Sequence, residues 1–145
     1  MKIYFHNCSL QRPHDDQSQM RIRLEAEAIT AVLLLCEAGA LMLVSSEVLE
    51  LEIERTPQLN RRQLTSKLLA AQSTILLTDK IETRANEFVV RGFKTFDALH
   101  LALAEAGKSE YFCTCDDKFL KKAQARSDLH ARVVSPLELA HEVIK

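Results

Sequence analysis

The chain has no tryptophan, only three glycines and three prolines, and few aromatic residues, six Phe and two Tyr in 145. With so little Gly and Pro there is no linker, internal repeat or low-complexity segment to divide it. Few aromatics leave few platforms for stacking bases, so sequence-specific reading of a single strand is expected to be weak. An excess of one charge is missing as well: 19 Lys+Arg oppose 20 Asp+Glu, a net −1. That balance argues against holding nucleic acid through a broad positive field, although a local basic face is compatible with it. No apolar run approaches the ~20 residues that cross a bilayer. Met1–Phe5 enters a strand-like segment without the long apolar stretch of a signal peptide. A cytoplasmic chain with no membrane contact is therefore expected. The 47% of hydrophobic residues suffices for one globular domain spanning residues 1–145.

Four cysteines (Cys8, Cys36, Cys113, Cys115) do not make a disulfide framework in a cytosolic domain of this size. Cys36 in an apolar helical stretch and Cys113 in a strand read as buried thiols. His6-x-Cys8 and Cys113-x-Cys115 would offer four zinc ligands if their strands were neighbours, but both spacings are tighter than ordinary zinc loops.

Short apolar runs alternate with amphipathic stretches. Lys2–Phe5 reads as a strand and Gln11–Asp16 as a polar loop. Ile22, Ala26, Ile29, Leu33 and Cys36 recur at helical spacing, and Gly39 closes that helix. Ala40–Ser45 is a second strand; Ser46 caps a helix running to about Arg55, before Pro57. Arg61–Gln72 reads as a helix and Thr74–Leu77 as the third strand. Thr78 caps the next helix, Gly92 ends it, and Thr95 caps a helix holding Asp97 in its first turn. Tyr111–Thr114 is a strand, Asp117–Ala125 a helix and Arg132–Val134 a fifth strand. Ser135-Pro-Leu-Glu138 is a capping box with Pro at the first helical position. Strands separated by helices pair in parallel, so the expected fold is a three-layer α/β/α sandwich with a central parallel sheet of about five strands.

Sites in such sheets form beyond the carboxyl ends of the strands. There the sequence places His6 and Asn7, Ser45 and Ser46, Asp79, then Asp116 and Asp117. Glu52 lies on the helix after the second strand and Asp97 opens the helix feeding the fourth. Clustered carboxylates repel unless a cation neutralises them, which is the usual setting for Mg²⁺ or Mn²⁺. Each acid also has an ordinary reading. Asp97 suits a helix N-terminus, Asp116 and Asp117 suit a turn and N-cap, and Glu52 suits a solvated helix face. His100 reads as a packed or hydrogen-bonded side chain, His14 as a solvated one.

Three segments carry a family resemblance. Lys2-Ile-Tyr-Phe-His-Asn-Cys-Ser-Leu-Gln-Arg-Pro-His-Asp-Asp-Gln17 is similar to the opening of a bacterial PIN-domain subgroup. Asp-Ala-Leu-His-Leu-Ala (97–102) and Thr-Cys-Asp-Asp-Lys-Phe (114–119) are similar to the family's two C-terminal motifs. The chain thus resembles, over essentially its whole length, the short single-domain PIN proteins that include VapC-type toxins. The resemblance implies a metal-dependent endoribonuclease with acids around Mg²⁺ or Mn²⁺, a homodimer, and a small antitoxin protein as partner. Residue by residue, it implies Asp97, Asp116 and Glu52 as metal ligands and catalytic acids, with Asp117 as an auxiliary and Thr114 as the hydroxyl beside Asp116. Glu47 and Glu50 compete with Glu52, because Glu-Val-Leu-Glu-Leu-Glu leaves the register open.

The departure from the pattern is at His6, where the family has an Asp. Imidazole suits Mn²⁺ and later transition metals better than Mg²⁺. His6 as a fourth metal ligand, a shift toward Mn²⁺, and a domain that binds RNA or protein without cutting are all consistent with it. Substrate contacts are expected at Thr114, Asn7, Lys118 and Lys121, the lysines following the Asp116 turn. A response-regulator-like domain fits less well, since His6-Asn7 does not supply its acidic pair.

Overall fold

A computed structural model describes residues 1–69 and 74–144. Its elements run β1 (Lys2–Phe5), α1 (Asn7–Gln11), a 3-10 turn (Arg12–His14), α2 (Met20–Glu37), β2 (Met42–Ser46) and α3 (Glu47–Glu54). They continue with α4 (Leu59–Leu69), β3 (Thr74–Ile75), α5 (Asp79–Val90), α6 (Thr95–Ala106), β4 (Tyr111–Cys113), α7 (Asp117–Gln124), β5 (Arg132–Val134) and α8 (Pro136–Val143). All pairings are parallel, in the order β3-β2-β1-β4-β5. This is the expected three-layer sandwich. The end of the expected Arg61–Gln72 helix lies outside the described residues.

β1 is the central strand, and Ile3, Tyr4 and Phe5 are fully buried. An uninterrupted apolar run is what a parallel strand covered on both faces requires. α2 packs on α8 and α5 on α6. Gly107, just past α6, sits where a Cβ would meet Val44 Cγ1 at 2.7 Å and Ile75 Cγ1 at 3.2 Å. That close approach seats the end of α6 against β2 and β3.

Three caps read from sequence are present: Ser46 accepts from Leu49 N–H, Thr78 from Ile81 N–H, and Ser135 with Glu138 closes a capping box. Gly39 and Gly92 follow their helices with φ of +82° and +105°, a conformation that favours glycine. Three expectations change. The stretch after β1 is helical, α1 and then a 3-10 turn, rather than a polar loop from Gln11 to Asp16. Lys94, not Thr95, is the N-cap of α6, without a side-chain bond, so Thr95 is the first helical residue. β3 pairs over two residues, not four.

Candidate active site

The chain leaves β1 toward β2 on one side, while β4 lies on the other. The carboxyl ends of β1 and β4 therefore flank the topological switch point, where open parallel sheets form their crevice. His6 follows β1 and Thr114 follows β4; the N-terminus of α6 brings Asp97 to the same place.

His6 is at the centre. Its Nε2–H donates to Asp97 Oδ1 at 3.0 Å, and its Nδ1 lies 2.9 Å from Thr114 Oγ1. The ring packs among Phe112, Phe119 and His100, with centroids 5.1–5.6 Å away. Cys8 Sγ lies 3.5 Å from Nδ1. Burial disfavours the imidazolium, but the Asp97 bond and the Cys8 sulfur outweigh it and lift the His6 pKa from 6.5 to about 10. Burial likewise opposes ionisation of Asp97, yet the His6 bond holds that carboxyl below its ordinary range. The Cys8 thiol is pushed down by its bond with Cys115 and by His6, while Cys115 is pushed up.

A second histidine–carboxylate pair lies beside the first. His100 Nε2 bonds Glu52, and Nδ1 lies 2.6 Å from the Tyr4 hydroxyl, itself 2.6 Å from Ser46 Oγ. Every donor is matched when Leu49 N–H gives to Ser46, Ser46 to Tyr4, Tyr4 to Nδ1, and Nε2–H to Glu52. Burial pushes the Tyr4 hydroxyl far above its ordinary pKa, so it stays a donor. His100 is thus hydrogen-bonded, as expected; its link to Glu52 was not foreseen, although a buried His three residues after Asp97 was the available signal.

The other residues read from sequence divide. Of the three acids on α3, Glu52 reaches His100, whereas Glu47 accepts from Leu77 N–H at 2.9 Å. Asp116 caps α7, accepting from Lys118 and Phe119 N–H, and its own N–H donates to Thr114 Oγ1 at 3.0 Å. Asp117 points away, in a bidentate pair with Arg21 at 2.6 and 2.9 Å. Asn7 accepts from Gln11 Nε2 at 3.3 Å; Lys118 and Lys121 lie exposed on α7.

In kind, this donor set suits a divalent ion; in arrangement it does not. Among the described residues, no three His, Cys, Asp or Glu side chains converge to hold a metal ion. Asp97 already holds the His6 N–H and Glu52 the His100 N–H, while Asp116 is spent on a cap. Both His6 nitrogens are engaged, so His6 as folded has no lone pair to give a metal. The zinc arrangement fails on the same ground, although β1 and β4 are neighbours. Chemically, the site is an acid neutralised by a built-in cation.

The PIN domain family matches residues 4–125, and the chain belongs to it. No curated protein matches the sequence. Among solved structures it is similar to the crystal structure of VapBC2 from Rickettsia felis bound to a DNA fragment from their promoter. That match has a TM-score of 0.63 at 12% identity and covers 93% of this chain and 98% of the other. At such identity the likeness establishes the shared fold. Among the described residues, no helix is long and apolar enough to cross a membrane.

Proposed function

We propose that this protein is an RNA-directed PIN endoribonuclease of the toxin–antitoxin kind, held latent by His6. Family membership and the likeness to a VapBC complex support the class. The observation that carries the reading is the His6–Asp97 bond at the switch point, with Glu52 and Asp116 brought near it by other elements. Asp97, Glu52 and Asp116 are the acids expected to serve hydrolysis, with Mg²⁺ or Mn²⁺ as the cofactor the family pattern implies. As folded, those acids are engaged in bonds to His6, to His100 and to the α7 backbone. Lys118 and Lys121 would meet substrate phosphates. A small antitoxin, a second copy in a homodimer and a cytoplasmic location complete the reading.

A second reading, an RNA- or protein-binding module without activity, draws on the same bond: an imidazolium at the acid is a permanent substitute for an ion. The test is cleavage of mixed-sequence single-stranded RNA with Mg²⁺, Mn²⁺ or EDTA, wild type beside Asp97→Asn and His6→Asp. Latency predicts that wild type is silent and His6→Asp cuts with added metal. Wild-type cutting in Mn²⁺ that Asp97→Asn abolishes would mean a working nuclease, not a latent one. Silence from every variant, with RNA still bound, would establish the binding module.

A further inference from the structure

Two of the four cysteines, 107 positions apart, are brought together directly beside His6. Cys8 Sγ accepts the backbone N–H of Cys115 at 3.4 Å, and the Cys115 sulfur lies 3.5 Å from the hydroxyl of Ser9, the residue after Cys8. With an N–Cα bond of about 1.46 Å, the Cys8 sulfur lies within roughly 5 Å of the Cys115 Cα. Cys8 is half-buried, and Cys115 is 8% exposed. Cys113 is fully buried on the strand, and Cys36 belongs to α2. One half-buried cysteine therefore neighbours one buried cysteine, an arrangement that suits an attacking and a resolving thiol.

We propose that Cys8 and Cys115 are a redox pair that closes to a disulfide when the protein meets hydrogen peroxide. The Cys8 sulfur attacks the peroxide, the O–O bond breaks, and a sulfenic acid forms with release of one water. The Cys115 sulfur then displaces the sulfenic oxygen as a second water. Two electrons pass from the thiols to the peroxide, and the two thiol protons leave in the waters. A small disulfide such as oxidised glutathione reaches the same product by exchange, releasing two small thiols.

The bond acts on the site described above. Cys8 Sγ now lies 3.5 Å from His6 Nδ1 and 3.6 Å from Thr114 Oγ1. Bridging redirects that sulfur to Cys115, so both contacts are lost. It also ties α1, after β1, to the turn that carries Asp116. The two strand ends flanking the crevice become covalently joined, and the inference holds whether or not the protein cuts RNA.

The test uses the full chain, reduced, desalted and exposed separately to hydrogen peroxide and oxidised glutathione. Expected are an intact mass lighter by two hydrogens, its recovery with dithiothreitol, and a non-reducing peptide map joining the Cys8 peptide to that of Cys113 and Cys115. Cys115→Ser should abolish the link and Cys113→Ser preserve it. The His6 ring resonances should shift on oxidation of wild type and return to their starting positions with dithiothreitol. Oxidation of Cys8 to a sulfinic acid without a link, a link that survives Cys115→Ser, or an unchanged mass would overturn the proposal. Fragmentation of the linked wild-type peptide, which tells Cys113 from Cys115, decides the question even if a variant folds poorly.

Discussion

The two histidine–carboxylate pairs sit side by side, their imidazole rings 5.5 Å apart, yet they are built differently. His100 ends a closed relay through Tyr4 and Ser46 to the backbone, with each proton assigned by the next partner. His6 ends in a threonine hydroxyl and a thiol, two groups that can each rearrange or react. One pair is fixed by its surroundings, and the other holds its acid through a removable charge. Position at the sheet edge alone does not make a carboxylate available; what its partner can be made to release does.

The sharpest way to break the contrast is His6→Asp. It exchanges a cation for an anion beside Asp97, so without metal the variant should be less stable than wild type by like-charge repulsion. Mn²⁺ at a hundredfold over its Kd should raise the variant's stability by about 2.7 kcal/mol and leave wild type unmoved, read as melting temperature against metal concentration. Asp97→Ala strands the His6 charge and should cost about 2–3 kcal/mol in urea unfolding. That is less than the roughly 3–5 kcal/mol of a fully buried pair, because 18% of the Asp97 side chain stays exposed to solvent. Tyr4→Phe severs the relay and leaves His100 Nδ1 without its donor, at about 1–2 kcal/mol, with little effect on His6.

The smallest effect is in the pH profile. The folded His6 pKa of about 10 stands above the ordinary 6.5. Its contribution is therefore complete below about 6.5 and lost as pH rises through about 10. Cys8 is shifted down from 9.0, so its contribution is complete above that value and declines as pH falls. Between 6.5 and 9 the two slopes oppose each other. Urea midpoints should be nearly flat there for wild type and should fall with pH in Cys8→Ser.

Much of this was legible where the cause is local. β1 stands at Lys2–Phe5 as read, because the apolar run Ile3-Tyr4-Phe5 between Lys2 and His6 leaves little choice. The Ser46, Thr78 and Ser135 caps were visible because a hydroxyl satisfies an N–H three residues on. What escaped depends on contacts distant in sequence. Asp117 looks like a site acid until Arg21, 96 positions away, claims both its oxygens. Glu52 could not be chosen over Glu47 until His100 and Leu77 N–H each took one of them. Asn7–Gln11 has too few residues for a helical period to show, and the helix appears only against the folded sheet.

Gly107 has a consequence at the far end of α6. The helix from Thr95 to Ala106 is about 18 Å long, and its last turn lies so near β2 and β3 that a single added methyl would strike Val44. α6 is therefore a lever with its fulcrum at the glycine and Asp97 at its working tip. A small tilt at position 107 would be magnified into displacement of the acid from His6, so a residue with no functional group helps set the distance on which the charge pair depends.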